Sequence, residues 1–184
     1  MVISSNAQLI EYIAKSTKTN FIFFWGHQKP KSGVSKSCFS QWYPARFEQQ
    51  GLVFKTAEHY MMYHKAMLFE NADIASRILH CNHPSEVKKL GREVSGFDEA
   101  TWNAKRFNIV ISANLLKFGQ NPELKTFLLS TNKSVLVEAS PVDKIWGIGL
   151  AEDHEFARVP QKWQGLNLLG YALMAVRDQL LQEL

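Results

Sequence analysis

The chain has 184 residues, 46% hydrophobic and 21% charged, a balance that supports a packed core and excludes wholesale disorder. Lys and Arg outnumber Asp and Glu by 21 to 17, a formal charge of +4 with neutral histidine. With no arginine-rich arm or lysine run, that excess permits a phosphate-bearing ligand but does not call for bulk nucleic-acid binding.

Two cysteines, Cys38 and Cys81, are too few for a structural zinc site or a disulfide scaffold. The first twenty residues lack the basic-then-apolar order of a signal peptide. No run reaches the roughly 18 apolar residues of a membrane span. The expectation is a cytoplasmic protein with no membrane partner, folded as a single domain over residues 1–184.

In chain order, Ser5 or Asn6 caps a short helix carrying Leu9, Ile10 and Ile13. Phe21–Trp25 is too brief and aromatic for a helix and predicts a buried strand. A Gly-, Ser-, Lys- and Pro-rich loop follows, then a hairpin around Gln49-Gln50-Gly51. Thr56 N-caps a helix to about Phe69. Asn71 caps another through Leu79, and Pro84 opens a third. Asp98 starts the longest helix, to Phe118, and Asn121-Pro122 begins the next, to about Ser130. Ser134–Ala139 is a strand candidate, and the last helix starts near Asn167. The pattern is mainly α, an α+β chain with a few short strands.

On a wheel of about 100° per residue, Glu58, Met62, Lys65 and Phe69 share one inward sector. Lys65 leans back toward Glu58, yet their α-carbons are about 10 Å apart along the axis. Either a ligand sits between the two charges, or both snorkel to a solvated rim. Arg106 likewise falls on the apolar face of Trp102, Ile109, Ala113 and Leu116. A buried guanidinium there requires a protein carboxylate or a ligand phosphate. Asp143-Lys144-Ile145-Trp146-Gly147-Ile148-Gly149 combines an acid, an indole and two glycines, which suits either a pocket wall or simple packing. His80-Cys81-Asn82-His83 has no partner cluster at metal-ligand spacing. Neither a P-loop nor a dinucleotide fingerprint occurs, nor a G-x-S-x-G elbow.

The ordered blocks are Phe39-Ser40-Gln41-Trp42, Thr56-Ala57-Glu58-His59-Tyr60 with Lys65, and Leu90-Gly91-Arg92. They continue with Trp102 and Arg106, Lys117-Phe118, Leu128-Leu129 with Thr131, and Glu138. Asp143-x-x-Trp146-Gly147-x-Gly149 and Gly165-x-Asn167-x-x-Gly170-x-x-Leu173-Met174-x-x-Arg177 complete them. In order and spacing this set closely resembles the YbiA-like, or NADAR, family over residues 21–180, with 1–20 as an N-terminal helical extension. The sequence departs from the family pattern at Gln41-Trp42, where Asn-Phe is usual, and at Ala57, often Ser. A long stretch between Gly149 and Gly165 carries Glu152, Asp153, His154 and Glu155.

The resemblance implies a single-domain helical YbiA-like fold and metal-independent N-glycosidase activity with no cofactor. The bond implied is that between a ribose carbon and an exocyclic amine. Implied substrates are ribosylaminopyrimidine phosphates of riboflavin biosynthesis or ADP-ribosylated guanine, the latter also within nucleic acid. It further implies Glu58, Lys65 and Asp143 as catalytic residues. The substrate-binding positions implied are Trp42, His59, Trp102, Arg106, Trp146, Gly147 and Asn167. Glu58 is the first choice for the carboxylate that stabilises positive charge on C1′ or activates water. Lys65 can protonate the leaving amine, hold phosphate or attack C1′. Arg106 can clamp phosphate, and Trp42 and Trp146 can stack on the base. The rival readings are a non-catalytic module that binds ADP-ribose or NAD, and a basic nucleic-acid-binding module with steep salt dependence.

Overall fold

The structure, a computed structural model, describes residues 3–15 and 18–183. In chain order the elements are α1 (Asn6–Ala14), β1 (Phe21–Phe24), a 3-10 turn (Lys36–Phe39), β2 (Phe47–Gln49) and β3 (Leu52–Phe54). There follow α2 (Ala57–Leu68), α3 (Ala72–His80), α4 (Pro84–Arg92), α5 (Glu99–Gly119) and α6 (Pro122–Ser130). The chain ends with β4 (Val135–Glu138), a second 3-10 turn (Pro160–Lys162) and α7 (Leu168–Gln182). It is mainly α with a few short strands, as the periodicity predicts. Among the described residues no helix is long and apolar enough to cross a membrane.

The helix starts follow from local chemistry. The side chains of Ser5, Thr56 and Asp98 accept from the backbone N–H of Gln8, His59 and Thr101, respectively. Each satisfies a donor that the first helical turn leaves unpaired. Pro84 occupies the first turn of α4, where its missing N–H costs nothing. Asn71 stands at the N-cap of α3 without a side-chain cap bond. Its amide instead holds Ser95: Oδ1 accepts from the Ser95 N–H at 3.0 Å and hydroxyl at 2.8 Å, and Nδ2 donates to the Ser95 carbonyl at 3.0 Å.

The chain divides into two compact units, Gln41–Pro122 and the combination of Met1–Ser40 with Glu123–Leu184. Within Gln41–Pro122, β2 and β3 form an antiparallel hairpin with Gln49 opposite Leu52. Gln50 and Gly51 both have positive φ, 51° and 80°, as a two-residue type I′ turn requires. Phe47 and Phe54 of this hairpin pack with Ala57, Tyr60 and Ala113. Burial of each such aromatic side chain contributes on the order of 1.5–3 kcal/mol. Helix α2 packs against α3, α4 and α5, so even the polar side chains of its first turn are buried.

In the other unit β1 and β4 pair in parallel, from Phe21 opposite Val135 to Phe24 opposite Glu138. Both strands are short apolar runs, the pattern of a parallel pair covered on its faces. Trp25, expected within the strand, lies beyond it and is 60% exposed, because β4 pairing ends at Glu138. Helix α7 packs on β4, and the approach is close at Gly170. A β-carbon there would lie 2.1 Å from the Leu136 carbonyl oxygen, so glycine is required.

Candidate active site

Helix α2 carries two of the expected catalytic residues. Glu58 lies in its first turn and is 4% exposed, and its N–H donates to the Gln41 carbonyl at 3.0 Å. The positive end of a helix favours a carboxylate at this position. Lys65 lies two turns later, and the Gly91 it meets packs on Met62, one turn back toward Glu58. Its Nζ donates to the Gly91 carbonyl at 2.6 Å and lies 4.4 Å from the Phe97 ring centroid and 5.7 Å from that of Trp102. Gly91 is in the last turn of α4, where carbonyls lack helical partners and the helix end attracts cations. Burial pushes the Lys65 ammonium pKa below its ordinary value. Among the described residues no carboxylate pairs with Lys65.

The structure brings Trp102 to Lys65 and fixes the His59 ring inside the fold. His59 is 1% exposed; Nδ1 lies 2.8 Å from the Thr56 hydroxyl and Nε2 3.2 Å from the Cys81 carbonyl. With Thr56 donating to Nδ1 and Nε2–H donating to Cys81, both ring nitrogens are used inside the fold. His59 thus ties α2 to the end of α3. Burial first, then the Lys55 charge, lowers its pKa, against the Cys81 hydrogen bond that raises it. Trp42 is partly buried, with the Lys88 ammonium 5.8 Å from its ring. Arg106 is partly buried on α5.

In the other unit, Asp143, Trp146, Gly147 and Asn167 form one knot after the carboxyl end of β4. Asp143 Oδ1 accepts from the N–H groups of Ile145 and Trp146, both at 2.8 Å. The Gly147 and Trp146 carbonyls accept from the N–H groups of Asn167 and Leu169. A β-carbon on Gly147 would lie 2.8 Å from the Glu138 carbonyl, which makes this glycine a packing requirement. Asn167 is fully buried at φ 53°; its Oδ1 accepts from the Glu138 N–H and its Nδ2 donates to the Leu136 carbonyl, both at 3.0 Å. Its amide holds β4 and orders this loop. Among the described residues no group of three or more His, Cys, Asp or Glu is arranged to hold a metal ion.

The NADAR domain model matches residues 23–181. This chain belongs to the NADAR domain family. N-glycosidase R617 of Acanthamoeba polyphaga mimivirus is 42% identical over 164 residues, covering 86% of this chain and 95% of R617. N-glycosidase YbiA of Escherichia coli is 28% identical over 174 residues, 95% of each chain. The NMR structure of E. coli YbiA superposes with a TM-score of 0.72 at 26% identity, covering 91% of this chain and 89% of YbiA. The riboflavin biosynthesis protein PYRR of Zea mays is 36% identical over 133 residues, which are 68% of this chain and 20% of PYRR. The NADAR chain described here is a hydrolase of N-glycosyl bonds.

Two residues of this NADAR domain escaped the sequence reading of the site. Phe97 precedes the N-cap Asp98 and lies five residues before Trp102, the spacing of a hydrophobic staple. That spacing is the signal that could have placed both rings together beside Lys65. Gln41 is 6% exposed; its Oε1 accepts from Asn114 Nδ2 at 2.8 Å, while its own Nε2 has no acceptor among the described residues. A buried amide donor next in the backbone network to Glu58 has no sequence signature beyond its departure from the usual Asn.

Proposed function

We propose that this N-glycosyl hydrolase cleaves the bond between C1′ of a ribose 5-phosphate and the exocyclic amine of a pyrimidine. ADP-ribose joined to the amino group of guanine carries the same kind of bond and is the second substrate of the proposal. The likeness to part of PYRR, a riboflavin biosynthesis protein, supports a substrate from that biosynthesis.

The observation that carries this reading is the Lys65 amine, partly buried, held by a carbonyl and ringed by Phe97 and Trp102. An amine desolvated in this way reaches its neutral, nucleophilic form more readily than an exposed lysine. In the proposed step the neutral Lys65 Nζ attacks C1′, the C1′–N bond breaks, and the exocyclic nitrogen leaves with the proton that the attacking amine loses through Glu58. Water then adds at C1′ and returns Lys65 and the free sugar. Glu58 stabilises the positive charge that develops on C1′ and takes a proton from the attacking amine or water. Asp143 is the second choice of carboxylate, because one of its oxygens already holds a turn. Arg106 is assigned to the phosphate, and Trp42 and Trp102 to the base and pocket walls. The chemistry needs only water and these side chains.

The test is to incubate the purified protein, without added metal, with a ribosylaminopyrimidine 5-phosphate and with ADP-ribosylated guanosine. Product masses then identify the bond cut and the leaving group. Free pyrimidine with ribose 5-phosphate supports the first substrate, and guanosine with ADP-ribose the second. Saturable binding of ADP-ribose or NAD without turnover of either substrate would establish a binding module instead.

A further inference from the structure

A cavity of about 810 Å³ opens at the amino ends of β1 and β4, in the unit formed by Met1–Ser40 and Glu123–Leu184. The knot of Asp143 and Asn167 follows the opposite, carboxyl end of β4. The volume lies within the about 300–1,000 Å³ typical of small-molecule sites. Three cationic side chains, Lys18, Lys133 and Arg177, line it against one carboxylate, Asp178.

Arg177 is 3% exposed. Its Nη1 donates to the Thr131 hydroxyl at 2.8 Å and to the Ser134 carbonyl at 2.9 Å. Those two bonds fix the guanidinium plane against the α6–β4 turn. The other edge is not used in the same way. Nε is buried without a hydrogen-bond acceptor among the described residues, and Asp178 Oδ1 stands 3.8 Å away. Nη2 also has no acceptor among the described residues. The parallel N–H bonds of Nε and Nη2 are the fork by which arginine takes two oxygens of a phosphate or carboxylate. A buried guanidinium with that fork vacant is costly unless an anion or water fills it. The Thr19 hydroxyl, on the same cavity wall, is likewise buried without a hydrogen-bond partner among the described residues. Tyr12 and Met174 add an apolar side.

We propose that this cavity binds a phosphate monoester of a small metabolite: the phosphate on the Nε–Nη2 edge of Arg177, which lacks a hydrogen-bond acceptor among the described residues, and its organic body against Tyr12 and Met174. The excess of cationic side chains favours a dianionic phosphate over a singly charged carboxylate. The site is independent of the roles given to Glu58 and Lys65, so either assignment can fail alone.

The test is an NMR titration of the 15N-labelled protein with inorganic phosphate and with AMP, using acetate as the control anion. The Arg177 Nε–H signal and the amides of Thr19, Lys133 and Ser134 are the readouts. Saturable movement of these signals with phosphate, tighter with AMP and weaker with acetate, is expected. Lys133→Glu, at an exposed position, should weaken phosphate binding about three- to tenfold, the scale of an exposed charge reversal. Asp178→Asn should tighten it. Signals that stay still through the millimolar range, an equal response to acetate, or a Lys133→Glu titration like that of the parent would overturn the proposal.

Discussion

The Lys65 ammonium is bound to the Gly91 carbonyl at 2.6 Å and covered by the Phe97 ring at 4.4 Å. The amine of α2 is therefore placed by α4 and by the residue before α5, not by an acid. Phe97 is 45% exposed, so its removal should leave the fold intact while opening the amine to water. Phe97→Ala is expected to return the Lys65 pKa toward its ordinary value. If the neutral amine reacts, the rising limb of kcat against pH moves to higher pH. Each unit of that movement lowers the neutral fraction at pH 7 about tenfold. The pH–rate profiles of parent and variant check this, and an unmoved limb would remove Lys65 from the reacting position.

A phosphate clamp and a reacting amine separate in Lys65→Ala. Loss of a clamp raises KM and leaves kcat largely intact, whereas loss of a reacting group collapses kcat while substrate still binds. The second result is expected. Borohydride added during turnover should trap a sugar adduct on Lys65 in the parent protein, located by peptide mass.

For Glu58, the substitution Glu58→Gln keeps size and shape and removes the charge. Turnover should fall by a factor of about 10²–10⁴, the usual scale for a positioned acid or base. An unchanged melting temperature with near-normal turnover would transfer the role to Asp143.

How much of this could be read from the sequence depends on the range of each interaction. Ser5, Thr56 and Asp98 cap their helices through bonds three residues away, so a local pattern suffices to place them. Asn71 and Asn167 also stand at helix starts, but their amides reach Ser95 and β4. No local pattern contains those partners. The stripe of Glu58 and Lys65 follows from helical periodicity, whereas the direction of Lys65 depends on Gly91, a residue of another helix. The glycines of the last motif are visible as spacing alone. Their reason is contact: a β-carbon on Gly165 would lie 2.3 Å from the Gly147 carbonyl oxygen.

The double role of Asn167 can be separated by two substitutions. Asn167→Ala leaves the buried Glu138 N–H and Leu136 carbonyl without partners, at about 1–3 kcal/mol each, and puts alanine at φ 53°. Asn167→Gly loses the same bonds without the left-handed backbone cost, a difference of about 1 kcal/mol. Denaturant unfolding should rank parent above the glycine variant and the glycine variant above the alanine one. Equal stability of all three would show that the amide does not hold β4.

His59 sets a pH dependence of stability whose sign follows from its burial. Its pKa in the fold lies below the ordinary 6.5, so the unfolded chain binds the proton more readily. The stability it supports is complete above about pH 6.5 and is lost as pH falls toward the folded value. One proton contributes at most about 1.4 kcal/mol per pH unit to that slope. His64, whose pKa burial also lowers, acts with the same sign and is present in both proteins compared. His59→Gln keeps a donor near the Cys81 carbonyl and removes the titration. Unfolding free energies between pH 7 and pH 5 should therefore fall less steeply in His59→Gln than in the parent. Identical slopes would mean that His59 is protonated alike in the folded and unfolded chains, and the tie from Thr56 through its ring to Cys81 would fall with that result.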